Sequence, residues 1–179
     1  MSSYWQTQFR ERMEKFVESS NSHAGTAISI KVRITSGCFH REHSPLAYQT
    51  IDRQLKSIAP KDFCFEEHES GPEILTWVQL TTAGIAFSAA VISLVTAIIK
   101  ARSDGIKKGD GPSAPVELVV RGLGSGDTYF EETILHIPPG KELSAIEIES
   151  LLKQALSKQK PVKAKKVLKK AKRKTKKIL

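Results

Sequence analysis

The chain has 179 residues, enough for one ordinary domain with appendages. Its formal charge of +9 is unevenly distributed, because residues 158–179 hold 12 Lys or Arg and no acid, while the remainder has 16 basic and 19 acidic residues and sums to −3. Two cysteines, Cys38 and Cys64, exclude a disulfide-rich scaffold and fit a reducing compartment. The polar stretch 1–16 lacks the apolar run of a secretory signal.

Residues 1–22 are predicted to form an amphipathic helix. Acidic and basic residues balance on its polar side, so packing on the body or on a partner subunit is favoured over a lipid surface. Its apolar face is formed by Trp5, Phe9, Met13, Phe16 and Val17.

Residues 26–70 are predicted to form a strand–helix–strand unit. Apolar residues occupy every second position of Thr26–Thr35, which is typical of a half-buried strand. Ser44 and Pro45 open a helix that Pro60 ends, and Lys61–Glu67 is a short second strand.

The stretch Ile74–Ile99 contains 26 consecutive residues without an ionisable side chain. As a helix it would be about 39 Å long, enough to cross an apolar layer of about 30 Å. Residues 74–100 are therefore predicted to form a transmembrane helix, with a helix buried inside a soluble assembly as the alternative. Small or polar residues at spacings of three and four predict a helix-association seam of Thr76, Gln79, Ala83, Ala86, Ala90, Ser93 and Ala97.

Charge predicts the orientation of such a helix. Basic residues follow it from Lys100 and acidic residues precede it, so the C-terminal side is expected to be cytoplasmic. Export of about 73 preceding residues without a signal peptide counts against simple spanning, and a cytoplasmic location is the alternative.

The remaining segments are predicted to be a linker at 101–115, a β-hairpin plus helix at 116–157 and a Lys-rich tail at 158–179. The expected fold class is α+β, with a small sheet of about four strands, flanking helices, a long membrane-inserted helix and a disordered basic tail. A spanning helix would divide the strands between two sides, whereas one pooled sheet makes a better core.

Five segments follow one another in the chain: the strand Ile28–Ile34, the helix Tyr48–Ile58, the acidic lead-in Glu66–Glu73, the apolar helix ending in Lys100–Arg102 and the strand Val116–Arg121. In this order they resemble the effector-associated constant component family of bacterial conflict systems. The resemblance is one of pattern over about residues 27–157 and implies a non-enzymatic companion of a protease-like or other effector, without catalytic residues to transfer.

Two patterns suggest weaker chemistry. Cys38, His40 and His43 in one loop, with Cys64 and His68 at the second strand, offer zinc ligands, although without paired-cysteine spacing, and ordinary loop histidines with a buried cysteine are favoured. The glycine-rich run 122–126 lacks a following helix start and is predicted to be a hairpin turn rather than a nucleotide loop. No catalytic motif is recognised, and no cofactor is expected.

The tail contains no aromatic residue, so any nucleic-acid binding would be through phosphates, without sequence preference. Anionic lipid is the other expected ligand, and a disordered solubilising tail is the third hypothesis. The candidate residues are Lys163, Lys165, Lys166, Lys169, Lys170, Lys172, Arg173, Lys174, Lys176 and Lys177.

These observations predict a non-enzymatic, membrane-associated interaction protein, as a companion of an effector in a bacterial defence system. Protein partners or self-association through the apolar helix are expected, and no small-molecule substrate. The alternative is a soluble oligomeric α+β adaptor whose basic tail binds nucleic acid non-specifically.

Overall fold

The computed structural model describes residues 3–20, 25–58 and 63–159. Within these ranges the strands form one antiparallel sheet in the order β2–β3–β1–β5–β6, with β4 paired to β3. The α+β class is therefore confirmed, with six strands rather than about four. The strands are β1 (Thr26–Ile34), β2 (Phe63–Glu66), β3 (Glu73–Thr81), β4 (Gly84–Phe87), β5 (Val116–Leu123) and β6 (Tyr129–Ile137).

Helices cover both faces of this sheet. The main core lies under three of them and includes the even-numbered apolar residues of β1, as the alternation predicted. The N-terminal helix packs on the opposite face of the sheet, where Phe9, Met13 and Phe16 contact Leu75 of β3. The helices are α1 (Tyr4–Ser19) on that second face, and α2 (Pro45–Ser57), α3 (Ala89–Lys107) and α4 (Ala145–Ser157) over the main core.

The prediction that Ile74–Ile99 is a single helix is wrong. The stretch contains β3, a tight turn, β4 and only the first part of α3, and no helix in the described ranges is both long and apolar enough to span a bilayer. Thr81 pairs with Gly84 across a two-residue turn, and Gly84 adopts φ +116°, a left-handed value that favours glycine. β3 has few charges because its first part, residues 73–78, is an inner segment of the sheet and mostly buried, with β1 on one side and β2 beside Glu73–Thr76 on the other. Its last three residues are exposed.

The predicted helix-association seam is consequently also wrong. A spacing of three and four makes a stripe only on a continuous helix, and these residues are divided between strands and a helix. Thr76 and Gln79 lie in β3, Ala83 in the turn, Ala86 in β4, and Ala90, Ser93 and Ala97 in α3.

Helix α3 continues to Lys107, beyond Lys100 where the sequence predicted its end. Its last turns are held by polar contacts, because the guanidinium of buried Arg102 donates to Ser44 Oγ at 3.2 Å and to the carbonyl of Pro112. After the helix, the Asp110 carboxylate accepts hydrogen bonds from the amides of Leu46 and Ala47, which open α2. The predicted linker at 101–115 is thus helical as far as Lys107, and its Asp110 caps the start of α2.

Candidate functional site

A cluster of charged side chains is buried beneath α1. Its centre is Glu73 of β3, whose side chain is fully buried and lies opposite Lys31 in the register with β1. The Glu73 carboxylate accepts hydrogen bonds from Ser29 Oγ and from the guanidinium of Arg121. From α1, Arg12 Nη1 reaches the same carboxylate at 3.1 Å, so the cluster joins this helix to three strands.

Burial and charge determine the ionisation of the cluster. Burial alone would raise the pKa of Glu73, but the hydrogen bond from His68 and the positive charge of Arg121 hold it well below its ordinary value. Hydrogen bonds to Glu66 and Glu73 raise the pKa of His68. Burial is the main cause that lowers the pKa of Lys31 to about 8; attraction to Glu73 opposes it and repulsion from Arg121 adds to it. Glu73 therefore stays ionised near neutral pH, among an excess of cations.

The ligand atoms of Glu66, His68 and Glu73 approach one another as metal ligands would. They already hold a cation, because Arg12 Nη1 pairs with Glu66 and lies 3.1 Å from both His68 Nε2 and Glu73 Oε2. The group is therefore a partly buried ion-pair network, centred on fully buried Glu73, that attaches α1 to the sheet. Sequence analysis missed it, because the alternation of β1 made its odd positions appear solvent-facing.

A second feature lies at one end of the sheet. Thr26, the first residue of β1, is opposite Val78 of β3, and Ile28 is opposite Gly122 of β5. The start of β1 therefore lies between the last residues of β3 and the last residues of β5 at this end of the sheet. These strand ends border an apolar groove of about 310 Å³. The groove is lined by Thr26, Ile28, Val78, Leu80, Ile85, Leu123, Phe130 and the end of α4.

We call this region the tail end, because the last described residue, Gln159, lines the groove and the Lys-rich segment follows it directly. Leu80 at its rim is 61% exposed. The start of α1 lies over the same end, since Trp5 packs edge-on against Tyr129 with ring centroids 4.9 Å apart, and Tyr4 beside it is 79% exposed. Exposed apolar and aromatic groups thus collect where the basic segment leaves the body.

The five Cys and His residues considered as zinc ligands divide into two groups. Cys38, His40 and His43 come together in the loop before α2, whereas Cys64 lies exposed on β2 and His68 belongs to the charged cluster. A site that combines both segments, which the sequence disfavoured, is not formed among the described residues.

The glycine-rich run 122–126 ends β5 and forms the turn to β6. The space beside Gly122 is filled by the Phe130 ring, 2.6 Å from where a Cβ would lie, so this glycine is required for packing. The candidate basic residues from Lys163 to Lys177 lie outside the described residues.

No protein-family model, curated protein or solved structure matches this chain.

Proposed function

We propose that this chain is a non-enzymatic accessory protein that attaches to anionic membrane surfaces peripherally, through the tail end. The observation that carries the proposal is the strand register, which brings the apolar groove, the exposed residue Leu80 and the start of the Lys-rich segment to one end of the sheet. In this arrangement the basic segment binds lipid headgroups while the adjacent apolar residues contact the acyl boundary.

The charge distribution supports this division of roles. Residues 158–179 contain 12 basic residues and no acidic residue. Each basic residue near an anionic bilayer contributes about 1 kcal/mol to the free energy of binding. Electrostatic attraction of that kind gives reversible attachment, and the exposed aromatic and apolar side chains at the tail end add contact area.

The accessory role follows from the resemblance to the effector-associated constant component family. Four of the matched segments lie in β1, α2, the β2–β3 region and β5, whereas the matched apolar helix is divided between β3, β4 and α3. Such a companion would hold its effector at the membrane.

The test is cosedimentation of the full chain with vesicles of phosphatidylcholine, with and without phosphatidylserine. We expect binding only when phosphatidylserine is present, and weaker binding as salt rises. A chain ending at Gln159 should lose at least about 100-fold in affinity, because it lacks most of the basic residues.

A matched pair of substitutions tests the apolar contribution. Leu80→Glu places an acid at the tail end, whereas Ile146→Glu makes the same kind of change at another exposed residue, at the start of α4 beyond the opposite end of β6. Leu80→Glu should weaken vesicle binding about 10–100-fold, since it removes an apolar contact and adds repulsion, and Ile146→Glu should change it by less than about twofold.

Duplex DNA at the same salt concentrations separates the rival function. If DNA is bound through residues 158–179, vesicles are not, and Leu80→Glu has no effect, the chain is a nucleic-acid-binding adaptor and the membrane proposal is wrong. Equal effects of Leu80→Glu and Ile146→Glu on vesicle binding would refute the role of the tail end.

A further inference from the structure

The loop between β1 and α2 collects three metal-ligating side chains. Cys38, His40 and His43 follow the spacing Cys-x-His-x₂-His, and their ligand atoms all lie within 4.8 Å of one another. Ligands of a tetrahedral zinc ion are about 3.4–3.8 Å apart, given bonds of about 2.0–2.3 Å. Small side-chain movements would therefore bring all three onto one ion.

The loop is held in place by its neighbours. Phe39, between two of the ligands, is fully buried; its amide donates to the carbonyl of Glu69 at 2.8 Å, and its carbonyl accepts from Tyr48 Oη at 3.1 Å. The Arg102 guanidinium lies 4.8 Å from the centre of the Phe39 ring. The backbone that carries the ligands is thus already ordered, so metal binding costs less conformational entropy.

The second part of the loop is fixed in the same way. The amides of His43 and Ser44 donate to the carbonyl of His40, and the carbonyl of His43 accepts from the Gly111 amide at 3.1 Å. The two imidazole rings lie with their centroids 4.6 Å apart. His40 Nδ1 accepts one long hydrogen bond, from the Glu42 amide at 3.3 Å. A metal ion at Nδ1 would replace this bond, and a metal ion at Nε2 would also remove it, because the ring proton would then lie on Nδ1.

The basic residues around the loop have other partners. Arg41 is paired with Asp52 and Glu67, and the Arg102 guanidinium donates to Ser44 Oγ and to the carbonyl of Pro112. This distinguishes the loop from the Glu66, His68 and Glu73 group, where the guanidinium of Arg12 already occupies the space among the ligands.

We propose that Cys38, His40 and His43 bind one divalent ion of the zinc class. One thiolate and two imidazoles select a borderline-soft ion over magnesium or calcium, which prefer oxygen ligands. Three protein ligands leave a fourth tetrahedral position for water, and His43 is exposed to solvent. The site is independent of the tail end and of the membrane proposal.

The test is titration of the full-length, reduced, metal-free chain with Co²⁺, read by absorption. We expect one Co²⁺ per chain, with the visible bands of tetrahedral cobalt and a thiolate-to-cobalt charge-transfer band, all removed by added Zn²⁺. Because ligands must lose their protons, binding should release protons and weaken as the pH falls.

The two cysteines provide a matched control. Cys38→Ser should abolish the charge-transfer band and lower the affinity at least about 100-fold, more than loss of an outer-shell partner costs. Cys64 is an exposed residue of β2, and Cys64→Ser should leave both within about twofold. His40→Ala and His43→Ala should each weaken binding at least about 10-fold.

Thermal unfolding without metal tests whether the variants change the fold itself. The unfolding temperature of Cys38→Ser should then match that of the parent chain. With Zn²⁺ added, the unfolding temperature should rise for the parent and for Cys64→Ser, but not for Cys38→Ser. The absence of a charge-transfer band in the parent chain, or its loss in Cys64→Ser but not in Cys38→Ser, would overturn the proposal.

Discussion

Replacing Glu73 by Gln tests whether the cluster under α1 stabilises the fold. The substitution keeps the shape but removes a fully buried negative charge, leaving the side chain of Arg121, 8% exposed, without its counter-ion. Removing one partner of a buried ion pair costs about 3–5 kcal/mol, and the hydrogen bonds that Gln retains recover about 1 kcal/mol. We therefore expect the free energy of unfolding in urea to fall by about 2–4 kcal/mol.

Glu117→Gln is the control for this measurement. Glu117 pairs with Arg33 at 2.9 Å, but both side chains are partly exposed, and such pairs contribute about 0–1 kcal/mol. Adding Arg121→Met to Glu73→Gln should restore part of the loss, since it removes the unpaired cation. A loss of less than about 1 kcal/mol for Glu73→Gln, or one equal to that of Glu117→Gln, would refute the reasoning.

The same variant has an expected dependence on pH. The folded-state pKa of Glu73 lies below its unfolded value of about 4.3, so its contribution is complete above that value and is lost as the pH falls through the folded pKa. The difference in unfolding free energy between the parent and Glu73→Gln should therefore decrease below about pH 4. It should also decrease as the pH rises above about 6.5, because Glu73 raises the pKa of His68 in the folded parent and this contribution is lost as His68 loses its proton.

Three further substitutions are predicted from the structure, each measured by urea unfolding. Lys31→Met should raise the free energy of unfolding at pH 7 by about 2–3 kcal/mol, because the folded state lowers the Lys31 pKa from 10.5 to about 8. This gain in stability should shrink as the pH rises from about 8 to 10.4, because the lysine of the folded parent chain loses its charge. Asp110→Ala should cost about 1 kcal/mol, since it removes the cap of α2. Gly105→Ala should cost about 1–3 kcal/mol despite its helical position, because the added Cβ would lie 2.3 Å from Asp110 Oδ2 and 3.2 Å from Ala47 Cβ.

Each of these has an outcome that would contradict it. A Lys31→Met chain that is less stable than the parent at pH 7 would show that Glu73 outweighs the burial of the ammonium group. An unchanged Asp110→Ala chain would mean that water caps α2 equally well. A stabilised Gly105→Ala chain would show that α2 and α3 can separate without cost.

Elements with a local signal were predicted well from the sequence. The alternation of β1 and the turn between β5 and β6 needed no tertiary information, because side-chain period and turn chemistry act over a few residues. The helix predicted within 116–157 is α4, which begins with a capping box: Ser144 Oγ accepts a hydrogen bond from the Glu147 amide, and the Ser144 amide donates to the Glu147 carboxylate. Cys38, His40 and His43 were also recognised as a group, because their spacing is local.

The sequence alone is sufficient for the α+β composition, the amphipathic α1 and the separation of a basic segment from a mildly acidic body. It is not sufficient for the conformation of Ile74–Ile99, because an uncharged stretch is equally compatible with a helix in lipid and with an inner strand followed by a buried helix. Tertiary structure likewise decided that Glu73 meets Ser29 and Arg121, 44 and 48 residues away. Pairing over such distances depends on strand order and register, which local patterns of hydrophobicity and charge do not specify.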